Sequence, residues 1–391
     1  MTRARVLLLG LPGAALFLFS CAVVRGGLFD DHPYGDVALY GHYAHQMTSG
    51  HWPYGDFYDE YPPLAQPLFL VVRLLPGSFA PGFKWTMALC GAGALVLLVA
   101  SLAVVRATFF HSVVAVLVVG FAPLLVGPVF LNTYDLFPAF LTSAALYAFL
   151  SRREVGAYVL LALAVAAKVY AIVLLPLLLV ETARVRRALG WFVGVLVLVH
   201  LPFAVEGPGG LRFSYWVQLK RGLEVESLAG GILLVLDRLG LHQVTLRDEA
   251  PGSRDAVGSL PDALAVATSL VLIAAVALVV ALYVSRRREL LTASAAAVTA
   301  FVAFSKVLSP QYVAWLVPLV PAAGVAASAV LVVALGLTRL EWDRFVESHG
   351  TVDRWGHVLS WWILARDLVL VGLYALLVLR LRAGPTRRSR R

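Results

Sequence analysis

Apolar runs close to 20 residues long recur along the chain and limit what it can fold into. A hydrocarbon core about 30 Å thick takes about 20 helical residues to cross. Only helices or closed barrels satisfy their backbone groups there. The sequence therefore predicts an all-α polytopic integral membrane protein with about 10–12 transmembrane or half-length helices. The runs lie at about 6–24, 83–105, 110–129, 134–150, 188–204, 261–284, 290–306 and 358–381. With 60% hydrophobic and 14% charged residues, an ordinary soluble domain is excluded.

Arginine placement predicts the orientation of these spans, because basic residues favour cytoplasmic ends. The polar loops 25–81 and 205–260, and the stretches 131–137, 305–312 and 338–357, are then extracytoplasmic. The net charge of +9 is thereby explained without a nucleic-acid partner. We expect one transmembrane domain over 1–382, a basic cytoplasmic tail over 383–391, and a multi-pass protein of the cell (plasma) membrane whose site faces outward. The orienting arginines are Arg3, Arg5, Arg106, Arg152, Arg153, Arg184 to Arg187, Arg286 to Arg288 and those of the tail.

Two segments do not fit a single crossing. Residues 155–180 are flanked by predicted cytoplasmic arginines on both sides, so they must enter and return. We predict two short helices that break near "AAKVYA", with Lys168 at the apex. Residues 311–337 pose the same problem, and we predict two shorter helices that meet near "PLVPAAG". Broken helices at membrane depth are tolerated where they line protein or a wet cavity.

The first polar loop contains the candidate base. "DVALYGHYAHQMTSG" predicts a short helix on the membrane surface, with Asp36 and Tyr40 on one face. One interpretation is that Asp36 only caps this helix. The other is that Asp36 is a carboxylate held at the bilayer edge as a general base.

Carboxylates and aromatic rings recur in the outer loops in the combination that sugar sites use, for ring stacking and for bonds to hydroxyls. We treat these residues as candidate sugar or acceptor ligands. The alternatives are a rigid solvated loop at "YDEYPPL" and an N-cap role for the aspartate of "LNTYDLF". The candidates are Tyr40, Asp59, Glu60, Tyr61, Asn132, Tyr134, Asp135, Gln311 and Tyr312.

Three cations lie within apolar sequence, where an ionisable residue is a functional candidate. Only four of the 32 Lys and Arg residues are lysines, and Lys168 and Lys306 are two of them. Together with Arg366 they would suit a phosphate group. The alternative is structural pairing, for Arg366 with Asp367 or Asp135.

An outward-facing membrane site has no access to cytoplasmic nucleotide sugars, so an activated sugar would come from the lipid phase. A polyprenyl phosphate sugar meets that need, with a base for the acceptor hydroxyl and positive charge for the departing phosphate. Direct attack inverts the anomeric centre. A transporter or lipid flippase is the alternative from another class, since broken helices with buried cations also describe those proteins.

Several motifs, in order, resemble the polyprenyl-phosphate-mannose-dependent transferases of glycosyltransferase family 87, in the GT-C superfamily. The resemblance implies a GT-C-like bundle and a multi-spanning inverting transferase, usually of mannose, that needs no metal or other cofactor. It implies that an acidic residue of the first outer loop, here Asp36, is the base. Its partners would be the polyprenyl phosphate sugar, a glycolipid or glycan acceptor, and membrane lipids. The alternative within the same superfamily is a related enzyme that transfers a different sugar. The motifs are D-x3-Y at Asp36, "PYGDF", "EYPPL", "YDLFPAFL", "AAKVYAIVLLPLLL", "SKVLSPQYVAWLVPL", "LTRLEW" and "ARDLVL". In "ARDLVL" the chain has Arg-Asp where the resemblance leads us to expect Arg-Asn.

Overall fold

The computed structural model describes residues 3–28, 35–250, 253–286, 289–347 and 359–383. Its contacts divide the chain into two compact units, Met1–Lys220 and Arg221–Arg391. The predicted basic tail, apart from Ala383, lies outside the described residues.

The first unit is helical throughout its regular structure. Its helices are α1 (Arg3–Leu7), α2 (Gly10–Val23), α3 (Val37–Thr48), α4 (Ala65–Leu74), α5 (Phe79–Val104), α6 (Phe109–Val126), α7 (Val129–Asn132), α8 (Leu136–Leu150), α9 (Glu154–Ala167), α10 (Leu175–Glu181), α11 (Val185–Glu206) and α12 (Pro208–Lys220), with a π turn at Val24–Leu28 and a 3-10 turn at Val169–Leu174. Local signals set some of these ends. Thr108 caps α6 by accepting a bond from the His111 N–H, and Gly127, with φ of 82°, follows its last residue.

The predicted break at Lys168 is confirmed. Helix α9 ends at Ala167, and Lys168 is extended, with φ of −159° and ψ of 126°. A 3-10 turn and α10 then carry the chain onward to Glu181. An extended residue between two short helices interrupts the backbone hydrogen-bond ladder, so the lysine side chain projects from an irregular point of the backbone.

The second unit combines helices with a small sheet. Its elements are β1 (Leu223–Glu224), α13 (Leu228–Arg238), β2 (Thr245–Ala250), β3 (Ser253–Val257), α14 (Ser259–Arg286), α15 (Leu290–Phe304), a 3-10 turn (Pro310–Tyr312), α16 (Val313–Leu316), a 3-10 turn (Val320–Ala323), α17 (Val325–Glu347) and α18 (Ser360–Ala383). The three strands are antiparallel in the order β1-β3-β2. The prediction that 205–260 is a large loop is therefore wrong. Helices and a three-stranded sheet occupy most of this region.

The second predicted break is present, but its two arms are unequal. Before it lie two 3-10 turns and the four-residue helix α16, because Pro318 and Pro321 lack the N–H that a longer helix needs. The break falls at Gly324, whose φ is 132°. Beyond it α17 continues for 23 residues. The prediction of a loop over 338–357 is wrong for its first ten residues, which belong to α17.

The membrane architecture predicted from the apolar runs is confirmed. Among the described residues, six helices are long and apolar enough to cross a bilayer: Ala4–Gly27, α5, α6, α11, α14 and α18. Five shorter apolar helices accompany them: α4, α8, α9, Val169–Glu181 and α15. The chain is thus a multi-pass membrane protein built mainly of α-helices, several of them half-length, with one small sheet.

Candidate active site

The candidate site lies at one end of the neighbouring helices α8 and α9. Asp135 comes directly before α8, and Lys168 directly after α9. Arg152 and Arg153 form the turn that joins the two helices at the other end. Since α9 has 14 residues, about 21 Å separates the two ends. The acid and lysine are therefore separated from the arginines by the length of these helices.

Lys168 and Asp135 form an ion pair at this end. The Lys168 Nζ lies 2.8 Å from Asp135 Oδ1 and 4.7 Å from the centre of the Tyr134 ring. The aspartate side chain is 1% exposed, whereas the lysine side chain keeps 15% of its surface exposed. Lys168 thus places a cation against a buried carboxylate, and the lysine side chain remains partly exposed.

The first polar loop is held against the same helix ends by backbone bonds. The Asp36 N–H donates to the Asn132 carbonyl at 3.1 Å, and the Leu64 N–H donates to the Ala166 carbonyl at 3.1 Å. Gly35, with φ of 132°, makes the first of these approaches possible. A Cβ on Gly35 would lie 2.5 Å from the Asn132 Cβ, so only glycine fits there.

The Asp36 side chain does not cap helix α3, so the capping interpretation is wrong. Its Oδ2 instead accepts bonds from the hydroxyls of Tyr40 at 3.0 Å and Tyr61 at 3.1 Å. Two donors on one oxygen fix the orientation of the carboxylate. Among the described residues, no hydrogen bond reaches its other oxygen, Oδ1. That oxygen is available to accept a proton.

Aromatic rings pack around the tyrosines that hold this carboxylate. Tyr40 is fully buried and stacks on Phe69 with 4.5 Å between ring centres. The rings of Tyr61 and Tyr134 meet Tyr40 edge-on at 5.3 and 5.7 Å. Phe69 comes from α4, a helix that we did not predict inside the first loop. The apolar run "AQPLFLVVRL" was the signal for it.

Burial raises the pKa of Asp36 above its ordinary value. The hydrogen bonds from Tyr40 and Tyr61 and the charge of Lys168 act in the opposite direction, and the charge of Asp135 raises the pKa further. A carboxylate with a raised pKa holds a proton more strongly, so it is a stronger base than an ordinary aspartate.

The predicted residues of the first unit do come together, in two groups. Asp36, Glu60, Tyr61 and Lys168 are partly exposed. The others are buried, so they are placed to support the exposed group rather than to contact a sugar directly. The buried group comprises Tyr40, Asp59, Asn132, Tyr134 and Asp135.

Three predicted residues of the second unit have local partners. The Lys306 Nζ donates to the Arg221 carbonyl at 2.6 Å. Gln311 accepts a bond from the Ser309 hydroxyl at 2.6 Å, and Tyr312 belongs to a ring stack. Phosphate binding by Lys306 and acceptor binding by Gln311 and Tyr312 stay predictions.

Arg366 is the fourth predicted site residue of the second unit. It is fully buried and surrounded by hydrogen-bond acceptors. Its Nε lies 2.9 Å from Asp367 Oδ1, and its other nitrogens donate to the carboxylate of Glu341 and the carbonyl of Glu226. This is the structural alternative considered for Arg366, an ion pair with the adjacent aspartate. The contacts favour it over phosphate binding.

Helices long and apolar enough to cross a bilayer define the class, a multi-pass membrane protein. The family model for glycosyltransferase family 87 matches residues 60–310, more than half of the chain. The chain belongs to this family and is a membrane glycosyltransferase. No curated protein matches it.

The buried carboxyl of Asp59 predicts a pH-dependent stability. Burial raises its pKa to about 8, and the bond from the Tyr61 N–H only partly offsets this. The folded protein therefore binds more protons than the unfolded chain between the unfolded pKa and about 8. Its free energy of unfolding should fall with rising pH in this window, by up to about 1.4 kcal/mol per pH unit.

Asp59→Asn should remove that dependence, because the amide does not titrate, and should keep the fold, because the amide oxygen still accepts the Tyr61 N–H bond. Thermal unfolding midpoints in detergent, recorded from about pH 5 to about pH 8, measure the effect. Asp262→Asn, at an exposed aspartate of α14, is the matched control and should behave as wild type. Equal pH dependence in wild type and Asp59→Asn would contradict the assignment.

Proposed function

We propose that this protein is an inverting glycosyltransferase of the plasma membrane, with Asp36 as its general base. It transfers a monosaccharide, by family resemblance mannose, from a polyprenyl phosphate sugar to a glycolipid or glycan on the extracytoplasmic face. The observation that supports this most is the Asp36 carboxylate, oriented by two tyrosine hydroxyls beside Lys168.

The proposed reaction needs one base and one positive charge. Asp36 Oδ1 accepts the proton of the acceptor hydroxyl as its oxygen attacks the anomeric carbon. The bond from that carbon to the phosphate oxygen breaks, and its electron pair leaves with the polyprenyl phosphate. Attack opposite the leaving group inverts the anomeric configuration. Phosphate is a good leaving group, so no protein acid is required.

Lys168 is the residue of the first unit that would bind the phosphate of the donor. Its ammonium group has three donor protons, and Asp135 Oδ1 accepts one of them. An incoming phosphate would add a second anion to the same ammonium. Charge on the leaving oxygen grows during transfer, so a fixed cation stabilises the transition state more than the bound donor.

The outward orientation of the site rests on the arginines at the opposite ends of α8 and α9. Because a polyprenyl phosphate sugar brings its activated sugar through the lipid, this site would need no nucleotide. The family match favours transfer over the transport or flipping of a lipid.

Replacing Asp36 by asparagine should abolish transfer and leave the fold intact. The amide oxygen keeps an acceptor for Tyr40 and Tyr61 but is not a base, so we expect a loss of about 100- to 10,000-fold in rate. Mass spectrometry of cell-envelope glycolipids and glycans, in a deletion strain carrying either form, measures it. Asp56→Asn, at an exposed aspartate of the same loop, is the control.

The deletion strain should lack one monosaccharide unit that the wild-type gene restores and Asp36→Asn does not. Restoration by Asp36→Asn would remove Asp36 from the role of base. An unchanged glycan profile on deletion would contradict the transfer reaction itself.

Replacing Lys168 by glutamine should weaken donor binding by about 10- to 100-fold, the value of one charge-assisted contact. The dissociation constant of a short-chain polyprenyl phosphate mannose, measured on purified protein in detergent, tests this. Because the single substitution leaves a buried carboxylate without its cation, the double variant Lys168→Gln with Asp135→Asn is tested alongside. Lys84→Gln is the control. Wild-type affinity in the double variant would exclude Lys168 as a phosphate ligand.

A further inference from the structure

A second charged feature lies at the opposite ends of the helices that carry the candidate site. Here the α8–α9 turn and the α10–α11 turn border an open pocket of about 430 Å³. We call it the arginine pocket. Its lining includes Arg152, Arg153, Arg184, Arg187 and Trp191. The proposed transfer reaction uses none of these residues.

The arginine pocket carries uncompensated positive charge. Its four arginines face one acidic lining residue, Glu154, which leaves three net positive charges. The arginines are exposed, and none of them forms an ion pair with any residue that the structure describes. Guanidinium groups at this density bind phosphate well, because each offers a planar fork of donors.

Two helices also begin at this pocket. Helix α9 starts at Glu154 and α11 at Val185, and neither has a side chain capping its first turn. The first N–H groups of a helix have no partner within it, and the helix dipole favours an anion there. This adds to the field of the four arginines and points to the same class of ligand.

The surface next to the pocket is apolar. On α11, Trp191 lines the pocket and is 46% exposed, and Leu198, two turns further along the same face, is 69% exposed. This helix is one of the membrane-crossing candidates. A ligand that fits both surfaces has an anionic head for the arginines and hydrocarbon for α11. Tryptophan is also typical of the level at which lipid headgroups lie.

We infer that the arginine pocket binds the phosphate head group of an anionic phospholipid, on the face predicted to be cytoplasmic. The shared chemistry, a phosphate held by guanidinium groups, would also admit a soluble phosphate. The apolar surface of α11 favours the lipid, since a soluble anion gains nothing from it. Basic pockets between membrane helices on this face bind lipid head groups in the same way. This site is independent of the proposed transfer reaction.

The test compares lipid binding by the full chain and two double variants. Arg153→Gln with Arg187→Gln removes two pocket arginines. Arg5→Gln with Arg186→Gln removes two exposed arginines that do not line the pocket, and so matches the change in charge. Native mass spectrometry of purified protein titrated with phosphatidylglycerol, and separately with phosphatidylcholine, gives the affinities.

We expect the pocket variant to lose at least about tenfold in affinity for phosphatidylglycerol and the control variant to stay within about twofold. Phosphatidylcholine should bind all three proteins equally weakly. Equal phosphatidylglycerol affinity in the two double variants would overturn the proposal. Displacement of phosphatidylglycerol by millimolar inorganic phosphate would also overturn it, in favour of a soluble anion. If the pocket variant does not fold, the single variant Arg184→Gln carries the same test.

Discussion

The ion pair between Lys168 and Asp135 is the interaction on which the rest of the first unit depends. It joins the end of α9 to the start of α8, so it fixes the two helix ends relative to each other. Removing one partner of a buried pair leaves an uncompensated charge, which costs about 3–5 kcal/mol. The pair therefore has a structural value of its own, whatever else the lysine binds.

Around this pair, ordinary packing holds the first polar loop and the Asp36 carboxylate in place. Backbone bonds to Asn132 and Ala166 place the loop, and two tyrosine hydroxyls orient the Asp36 carboxylate. Burial of this carboxylate raises its pKa. Burial and hydrogen bonding act on the pKa in opposite directions, so the base strength of Asp36 is set by their balance.

Much of this architecture could be predicted from the sequence, because the signals are local. Span length is read from apolar runs, and the arginines on both sides of 155–180 require a return at Lys168. Contacts between distant segments could not be predicted. The bond from Tyr61 to Asp36 joins residues 25 positions apart, and no periodicity encodes it. The ion pair of Arg366 with Glu341 and the pairing of β1 with β3 also join segments that are distant in the sequence.

The claim that Asp36 acts as a base held by tyrosine hydroxyls is tested most directly by the pH dependence of transfer in Tyr61→Phe. The Tyr61 hydroxyl lowers the pKa of Asp36 by bonding to its charged form, so its loss should raise that pKa. The rise of the transfer rate with pH, as Asp36 loses its proton, should then shift to higher pH relative to wild type. The same pH dependence in both proteins would contradict this account.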